Sequence, residues 1–248
     1  MESKSETLSI IIPAYNEGAT FRKMMDAVLA QPLDDLEKEI IIIESNSSDN
    51  TRSEVMSYKD IPNIRIIFEE RPQGKGHAVR EGLKCATGDY ILIQDADLEY
   101  DVADYPKLLV PLCNGGAKVV LGSRHNGTHG HSFSMRQFKD RPITALFMNV
   151  GHIFFTGLFN IVYGQNLKDP FTMYKVFRRE CIDGLTFEAN RFDFDWELLG
   201  KLCRKGYKPL EISITYQSRH FGDGKKVSIF RDPITWIIAC FKYRFTKL

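Results

Sequence analysis

Residues 88–100, with the sequence GDYILIQDADLEY, combine a short apolar run with a cluster of carboxylates. Tyr90–Ile93 is an unbroken run of strand-forming residues, which predicts a strand buried on both faces of a parallel sheet. Asp95 and Asp97 follow two positions apart, so an extended backbone would direct both side chains the same way. Like charges that close repel unless a cation lies between them, and Glu99 is within reach as a third oxygen ligand. An Asp-x-Asp pair by itself is more often a solvated turn than a metal site. The choice between the two therefore depends on the other motifs of the chain.

Three earlier apolar runs, at residues 8–12, 39–43 and 64–68, predict three further strands. Each is followed by a polar or glycine-rich loop and then by a helical pattern, as in residues 17–30. Repeated strand, loop and helix units predict an α/β fold with a parallel sheet, whose loops after the strands lie along one edge. Ligands of open α/β sheets bind at that edge, where the carboxylates also fall.

The loop after the third strand contains Gly74-Lys75-Gly76 at the start of a helix. Backbone N–H groups and the ammonium of Lys75 could hold a phosphate there, although such a short motif is more often only a turn. It lacks the spacing of a P-loop, and no GxGxxG follows the first strand, which argues against ATPase and dinucleotide-binding functions.

The composition excludes several classes of protein. The chain has 248 residues, of which 43% are hydrophobic and 26% charged, and we expect one soluble globular domain. A formal net charge of +1 argues against bulk nucleic-acid binding. The N-terminus has no apolar core typical of a signal peptide. The cysteines are scattered and odd in number, which favours reduced thiols in the cytoplasm: Cys85, Cys113, Cys181, Cys203 and Cys240.

The second half of the chain predicts a helix at 102–112, strands at 118–121, 172–177 and 209–216, and a helix at 194–203. A loop within it carries His125, His129 and His131. Three histidines this close suggest a metal site, but the loop is rich in glycine, so we do not expect them to bind zinc.

Two apolar segments are candidates for contact with a membrane. In residues 143–163 the polar positions recur at helical spacing, which places them in one stripe and favours either a helix at a membrane surface or one packed across the core. They are Asn149, His152, Thr156 and Asn160. Residues 233–245 are too short to span a bilayer, and their aromatic and basic content is typical of a surface anchor.

Seven segments together resemble the family 2 glycosyltransferases of the GT-A fold, and among them the dolichyl- and polyprenyl-phosphate glycosyltransferases. The resemblance covers nearly the whole chain in the same order. The segments are IIPAYNE (11–17), ESNSSDNT (44–51), RPQGKGHAVREGL (71–83), GDYILIQDADLEYD (88–101), GSR (122–124), DPFTMYKVFRR (169–179) and RHFGDGKK (219–226).

The resemblance implies a three-layer α/β sandwich with a mostly parallel central sheet. It also implies one domain over 1–248, with a nucleotide-sugar-binding half at 1–100, an acceptor-binding half at 101–230 and a C-terminal amphipathic helix at 231–248. The helix after the GSR loop matches one that lies against the membrane in the family. We therefore expect a cytoplasmic protein that is peripheral at the membrane surface.

The resemblance assigns roles to individual residues. It implies that Asp95, Asp97 and Glu99 bind Mg²⁺ or Mn²⁺ and that basic residues hold the donor and acceptor phosphates. The expected pocket residues for the nucleotide sugar are Pro13, Tyr15, Glu17, Glu44, Lys75 and Asp95. The expected basic residues are Arg124, Arg136, Arg219 and Lys225, and the expected catalytic set is Asp95, Asp97, Arg124 and Arg219.

The resemblance implies inverting transfer of a hexose from a nucleoside diphosphate sugar to a polyprenyl phosphate. Glu44-Ser45 stands where many relatives have Asp-Asp, which leaves the choice between GDP- and UDP-sugars open. A second hypothesis keeps the fold but makes a saccharide hydroxyl the acceptor, which needs a carboxylate base such as Asp169, Asp195 or Glu197. A third is a nucleotide-sugar binder without catalysis.

Overall fold

The computed structural model describes residues 5–126, 142–218 and 231–248. The strands are β1 Thr7–Ala14, β2 Glu37–Glu44, β3 Ile64–Phe68, β4 Tyr90–Ile93, β5 Val119–Ser123, β6 Lys175–Arg178 and β7 Leu210–Ser213. The α-helices are α1 Phe21–Ala30, α2 Thr51–Met56, α3 Lys75–Cys85, α4 Tyr105–Cys113, α5 Pro142–Tyr163, α6 Phe194–Arg204 and α7 Arg231–Phe245.

The strands of the described residues form one sheet of seven, in the order β3-β2-β1-β4-β6-β5-β7. Strands β1 to β4 run parallel to their neighbours within that group, and β5 is parallel to β7. Only β6 is antiparallel to the strands on either side of it, β4 and β5. The prediction of a mostly parallel sheet is therefore confirmed, and the sheet contains strands from both halves of the chain.

Side chains alternate between two cores on opposite faces of this sheet. Leu8, Ile10 and Ile12 of β1 pack into one core with α1, α2 and α4. Ile11 points the other way, into a core with α3, α5, α6 and α7. Each fully buried isoleucine contributes about 1.5–3 kcal/mol relative to an exposed one. Helices on both faces of a buried sheet confirm the predicted three layers.

Several element boundaries differ from the predictions. Helix α1 begins at Phe21, four residues later than expected, because the carbonyl of Glu17 first accepts the N–H groups of Thr20 and Phe21 in a turn. Strand β6 begins at Lys175 instead of residue 172, because the N–H of Thr172 is bonded to the carbonyl of Asp169 in another turn. Hydrogen bonds within loops, which apolar periodicity does not reveal, account for both shifts.

Helix α5 has its polar stripe facing inward and much of its apolar surface facing outward. Asn149 and His152 are 3% and 7% exposed, and the Asn160 amide donates to the carbonyl of Leu167 at 2.8 Å. By contrast, Phe154 and Ile161 are 59% and 83% exposed. Buried polar groups require hydrogen-bond partners, and the loop after α5 supplies one of them.

Ala145–Tyr163 is long and apolar enough, by length and composition, to cross a membrane, with a mean hydropathy of 1.6. A single helix of this kind also occurs in the cores of soluble proteins. Helix α7 packs against α5 and α6 through Ala239, Cys240 and Tyr243, while its outer side exposes Ile238 and Phe245. The two helices therefore present apolar side chains on one part of the surface.

Candidate active site

A cavity of about 790 Å³ lies at the carboxyl edge of the sheet. It is lined by the turn after β4, including Asp95, Asp97 and Glu99, and by Lys75 at the start of α3. Residues from α5 and α7 form another part of the wall. The structure therefore brings the three predicted metal ligands together at one cavity.

The three carboxylates are held in place by different partners. Asp95 forms an ion pair with the Lys75 ammonium. The Asp97 Oδ1 accepts the backbone N–H of Glu99 at 2.9 Å, and the Glu99 Oε2 accepts the Tyr216 hydroxyl at 3.0 Å. These contacts fix the direction of each carboxylate without removing it from the cavity wall.

Lys75 supplies a positive charge at the carboxylate cluster. Burial alone would lower its pKa, but the Asp95 carboxylate, with smaller contributions from Asp195 and Asp97, raises the pKa of this ammonium. The preceding residue, Gly74, has φ of +107°, and a Cβ there would lie 2.3 Å from the Asn190 carbonyl oxygen. Glycine is required at this point so that α3 can begin with Lys75 facing Asp95.

Gln94, the residue before Asp95, is the centre of a buried hydrogen-bonded network that the sequence did not predict. The Gln94 Oε1 accepts the hydroxyls of Tyr105 and Tyr174 at 2.6 and 2.9 Å. The Gln94 amide donates to the carbonyl of Asp95 at 2.8 Å. Satisfied polar networks of this kind rigidify a core, so the backbone that carries Asp95 is well supported.

Arg124 lines the same cavity and is paired with Asp169. The Arg124 Nε and Nη2 donate to the two Asp169 oxygens at 2.8 and 2.7 Å, and the Arg124 backbone N–H donates at 2.9 Å. Burial would raise the pKa of Asp169, but the Arg124 guanidinium holds it well below its usual range. This bidentate pair fixes the guanidinium plane beside the cavity.

The expected nucleotide-pocket residues do not all reach the cavity. Pro13, Tyr15 and Glu17 line it, and their role in binding the nucleotide sugar stays a prediction. Glu44, however, is fully buried, and its Oε1 accepts the Ser47 N–H at 2.7 Å. Its neighbour Ser45 lines the cavity instead. Glu44 is the last residue of β2, and its carboxylate is turned towards the backbone of the following loop, where it accepts the Ser47 N–H.

The profile of glycosyl transferase family 2 matches residues 9–185. The chain belongs to this family. The match begins in β1 and ends after β6, so it contains Lys75 and the pair of Arg124 with Asp169. It also contains Asp95, Asp97 and Glu99 after β4, which we call the carboxylate turn.

Curated relatives of this family 2 chain include two that act on dolichyl phosphate by name. A dolichol-phosphate mannosyltransferase of Pyrococcus furiosus is 27% identical over 88% of this chain and 58% of the relative. A dolichyl-phosphate beta-glucosyltransferase of Dictyostelium discoideum is 29% identical over 97% of this chain and 75% of the relative. The chain thus spans little more than half the length of the Pyrococcus protein.

Solved structures with the same fold include the glucosyl-3-phosphoglycerate synthase of Mycobacterium tuberculosis in complex with Mg²⁺ and UDP. Its TM-score is 0.66, with 19% identity, over 96% of this chain and 79% of that chain. This likeness, together with the family match, confirms the predicted GT-A fold.

The three carboxylates proposed as bases in the second hypothesis have different surroundings. Asp169 is fully buried against Arg124, and Glu197 is fully buried, accepting the N–H groups of Glu188 and Ala189. Asp195 lines the cavity and forms an ion pair with Lys175 at 2.7 Å. Of the three, Asp195 alone is a residue of the cavity wall.

Aromatic side chains on α5, on α7 and in segments near them line part of the cavity. They come from distant parts of the chain, and we call them the aromatic wall: Phe147, Phe155, Phe171, Trp196 and Trp236. The apolar periodicity of residues 143–163 predicted a helix, but no local signal indicated which aromatic side chains would line a cavity.

Three of the expected basic residues, Arg136, Arg219 and Lys225, lie outside the described residues, as do His129 and His131. Their roles remain predictions. Among the described residues, Arg191 also lines the cavity from the loop before α6, where it lies 3.5 Å from the Asp232 carboxylate of α7. No sequence pattern pointed to Arg191, because an isolated arginine in a loop carries no periodic or motif signal.

Proposed function

We propose that this protein transfers a hexose, with inversion, from a nucleoside diphosphate sugar to a polyprenyl phosphate at the cytoplasmic face of a membrane. One observation carries the proposal: a single cavity joins the carboxylate turn and Lys75 to the aromatic wall. We further propose one domain, with a donor half at 1–100, an acceptor half at 101–230 and a terminal anchoring helix at 231–248.

The carboxylate turn fits a hard divalent cation, since Asp95, Asp97 and Glu99 offer only oxygen ligands from one short segment. These side chains would hold Mg²⁺ or Mn²⁺, which when bound supplies Lewis-acid stabilisation of a diphosphate leaving group. The Lys75 ammonium already forms an ion pair with Asp95. In this proposal this ammonium turns to the donor's phosphates when they bind.

Arg124 is proposed to position the acceptor phosphate. Its guanidinium lines the cavity, and the bidentate contact with Asp169 prevents it from rotating. A phosphate monoester has a second pKa of about 6, so at neutral pH its oxygen is largely anionic and needs no general base. Attack of that oxygen on the anomeric carbon from the side opposite the diphosphate inverts the configuration.

The aromatic wall and the two outer helices fit the lipid part of such an acceptor. Exposed apolar side chains cluster on the outer sides of α5 and α7, including Phe147 at 62% and Ile234 at 62% exposure. Isolated exposed apolar residues are common, but a patch formed by two adjacent helices is typical of a membrane or protein contact. Phe147 also lines the cavity, so the patch and the cavity adjoin.

The test is an acceptor panel with the purified full chain. GDP- and UDP-sugars are supplied with Mn²⁺ and either a polyprenyl phosphate in vesicles, a free saccharide or no acceptor, and transfer is followed as lipid-linked sugar. We expect transfer to the lipid phosphate alone. Asp97→Asn serves as the inactive control, and Asp101→Asn as its match, because Asp101 caps a neighbouring turn through the Ala103 N–H.

Asp195 favours one alternative, transfer to a saccharide hydroxyl. A hydroxyl must lose a proton in the reaction, and Asp195 is a carboxylate in the cavity wall. Transfer to the saccharide, abolished by Asp195→Asn, would establish this alternative and overturn the lipid acceptor. Donor binding with no transfer to any acceptor would instead indicate a nucleotide-sugar binder.

A further inference from the structure

A second cluster of metal-ligating side chains shares no residue with the carboxylate turn, although His152 lines the same cavity. The Nε2 atoms of His125 and His152 are 2.9 Å apart, and the His152 Nε2 is 3.7 Å from the Asp169 Oδ1. All three ligand atoms lie within 4.8 Å of one another, and all three residues are buried. The cluster joins the segment after β5 to α5 and to the loop before β6.

Several polar atoms converge on one ring nitrogen in this cluster. Besides His125 and Asp169, the Lys168 carbonyl oxygen lies 3.3 Å from the His152 Nε2, and the Thr156 hydroxyl oxygen lies 3.4 Å from it. A neutral imidazole nitrogen carries at most one proton, so it can donate to few of these neighbours at once. These atoms form a polar pocket around one ring nitrogen, beside the Arg124 guanidinium that pairs with Asp169. A bound cation would accept lone pairs from several of them at once.

We propose that His125, His152 and Asp169 form a binding site for a zinc-class divalent transition metal, distinct from the carboxylate turn. Two imidazoles and one carboxylate are a ligand set that suits zinc, whereas Mg²⁺ prefers oxygen ligands alone. Two ligand atoms of a tetrahedral zinc lie about 3.4 Å apart at ordinary bond lengths. The observed separations of 2.9 and 3.7 Å lie on either side of this value.

Asp169 can serve both Arg124 and a metal. A carboxylate has about four lone-pair positions on its two oxygens. Arg124 uses them through its Nε, its Nη2 and its backbone N–H, two of which share Oδ2. The Oδ1 receives one of these bonds and is the oxygen nearest His152. The bound ion would retain at least one coordination position for water or an anion.

The proposed metal site would explain why the polar stripe of α5 faces inward. His152 belongs to the polar stripe that faces inward, and a metal bound there would tie α5 to the segment after β5 and to the loop before β6. Metal binding that requires the folded state stabilises that state by mass action. The proposal does not depend on the transferase activity, since the carboxylate turn shares no residue with this cluster.

The experiment measures metal binding directly. The full chain is stripped with a chelator, dialysed and titrated with Zn²⁺, with bound zinc measured by elemental analysis and thermal unfolding followed in parallel. We expect one bound zinc per chain and a rise in the unfolding temperature. Co²⁺ bound in place of zinc should give the visible absorption of a four-coordinate ion.

Variants locate the site. His152→Asn and His125→Asn should each weaken zinc binding by about a hundredfold, since loss of even a supporting contact costs tenfold to a hundredfold. Asp97→Asn should bind zinc normally. His77→Asn is the matched control, because His77 is a partly buried histidine paired with Glu69 elsewhere in the fold.

Two results would overturn the proposal. One is the absence of stoichiometric zinc, which would mean that the two imidazoles share a proton instead. The other is zinc that both the His125 and His152 variants retain in full, which would place the ion on other residues. Because the readout is bound metal, neither result bears on whether the enzyme transfers a sugar.

Discussion

The carboxylates of Asp95 and Asp97 in the cavity wall and the buried carboxylate of Asp169 differ in how their charge is balanced. Asp95 and Asp97, after β4, lie in the cavity wall, and Asp95 is paired with the side chain of Lys75, which is 22% exposed. Asp169 is fully buried, and its partner Arg124 is only 6% exposed. A charge at the wall can exchange one cation for another, whereas a buried pair is part of the folded structure.

This difference separates function from stability. Removing one partner of a buried ion pair leaves an uncompensated charge and is costly. Asp97 is itself only 6% exposed, but it belongs to a like-charged group, and an asparagine there keeps the oxygen that accepts the Glu99 N–H, so loss of its charge should cost the fold little. The carboxylate turn should therefore control turnover, and Asp169 should control stability.

The largest expected effect is that of Asp169→Asn on stability. Burying the Arg124 guanidinium without its carboxylate should lower the free energy of unfolding by about 3–5 kcal/mol. Urea denaturation with a chelator present measures this without any contribution from bound metal. Glu180→Gln is the control, because its ion pair with Lys118 is exposed to solvent and should contribute little to stability. Equal losses in the two variants would contradict the distinction.

Asp97→Asn should show the opposite pattern. We expect turnover to fall by a factor on the order of a hundred to a thousand, the effect of removing a preorganised charge-stabilising group. The free energy of unfolding should change by less than about 1 kcal/mol. Initial rates at saturating Mn²⁺ and urea curves on the same preparation give both numbers. Full turnover in this variant would show that Asp97 has no role in the active site.

Lowering the pH should reduce the contribution of Asp169. Its pKa in the folded state lies below the unfolded value of 3.8, so as the pH falls the unfolded chain takes up the proton first. The stabilisation is complete above about pH 5 and is lost as the pH falls through 3.8 towards the folded pKa. The difference in unfolding free energy between wild type and Asp169→Asn should shrink over this range. A constant difference down to pH 3, about one unit below the unfolded pKa, would refute this.

Lys75→Met tests whether the charge on Asp95 can be exchanged. Without the competing ammonium, Mn²⁺ should bind about tenfold more tightly in the absence of nucleotide, a change of about 1.4 kcal/mol. The affinity for a nucleoside diphosphate should fall, because one phosphate contact is lost. Isothermal titration measures both. Lys84→Met removes an exposed lysine of the same helix, paired with Glu81, and should change neither affinity.

The smallest effect is expected for Tyr216→Phe. This change deletes the hydrogen bond from the Tyr216 hydroxyl to Glu99, worth about 0.5–1.5 kcal/mol. Mn²⁺ affinity should fall by a few-fold, and the folded structure should persist because the ring still packs on Tyr100. Unchanged affinity would show that Glu99 is not a ligand of the ion.

The sequence alone determined those features that depend on neighbours in the chain. The apolar run Tyr90–Ile93 predicted a buried strand, and the spacing of Asp95 and Asp97 predicted carboxylates at its end, because strand geometry is set by alternate residues. The same local logic placed Lys75 at the start of a helix. The polar stripe of residues 143–163 was also visible, but not the side of the protein that it faces.

Only the tertiary structure decided which distant side chains meet. Tyr216 reaches Glu99 across 117 positions of sequence, and Arg124 reaches Asp169 across 45. His125 was grouped in the sequence with the histidines of its own loop, whereas the fold brings it to His152 of α5. Such contacts depend on the order of strands in the sheet and the packing of helices on it, which no local spacing specifies.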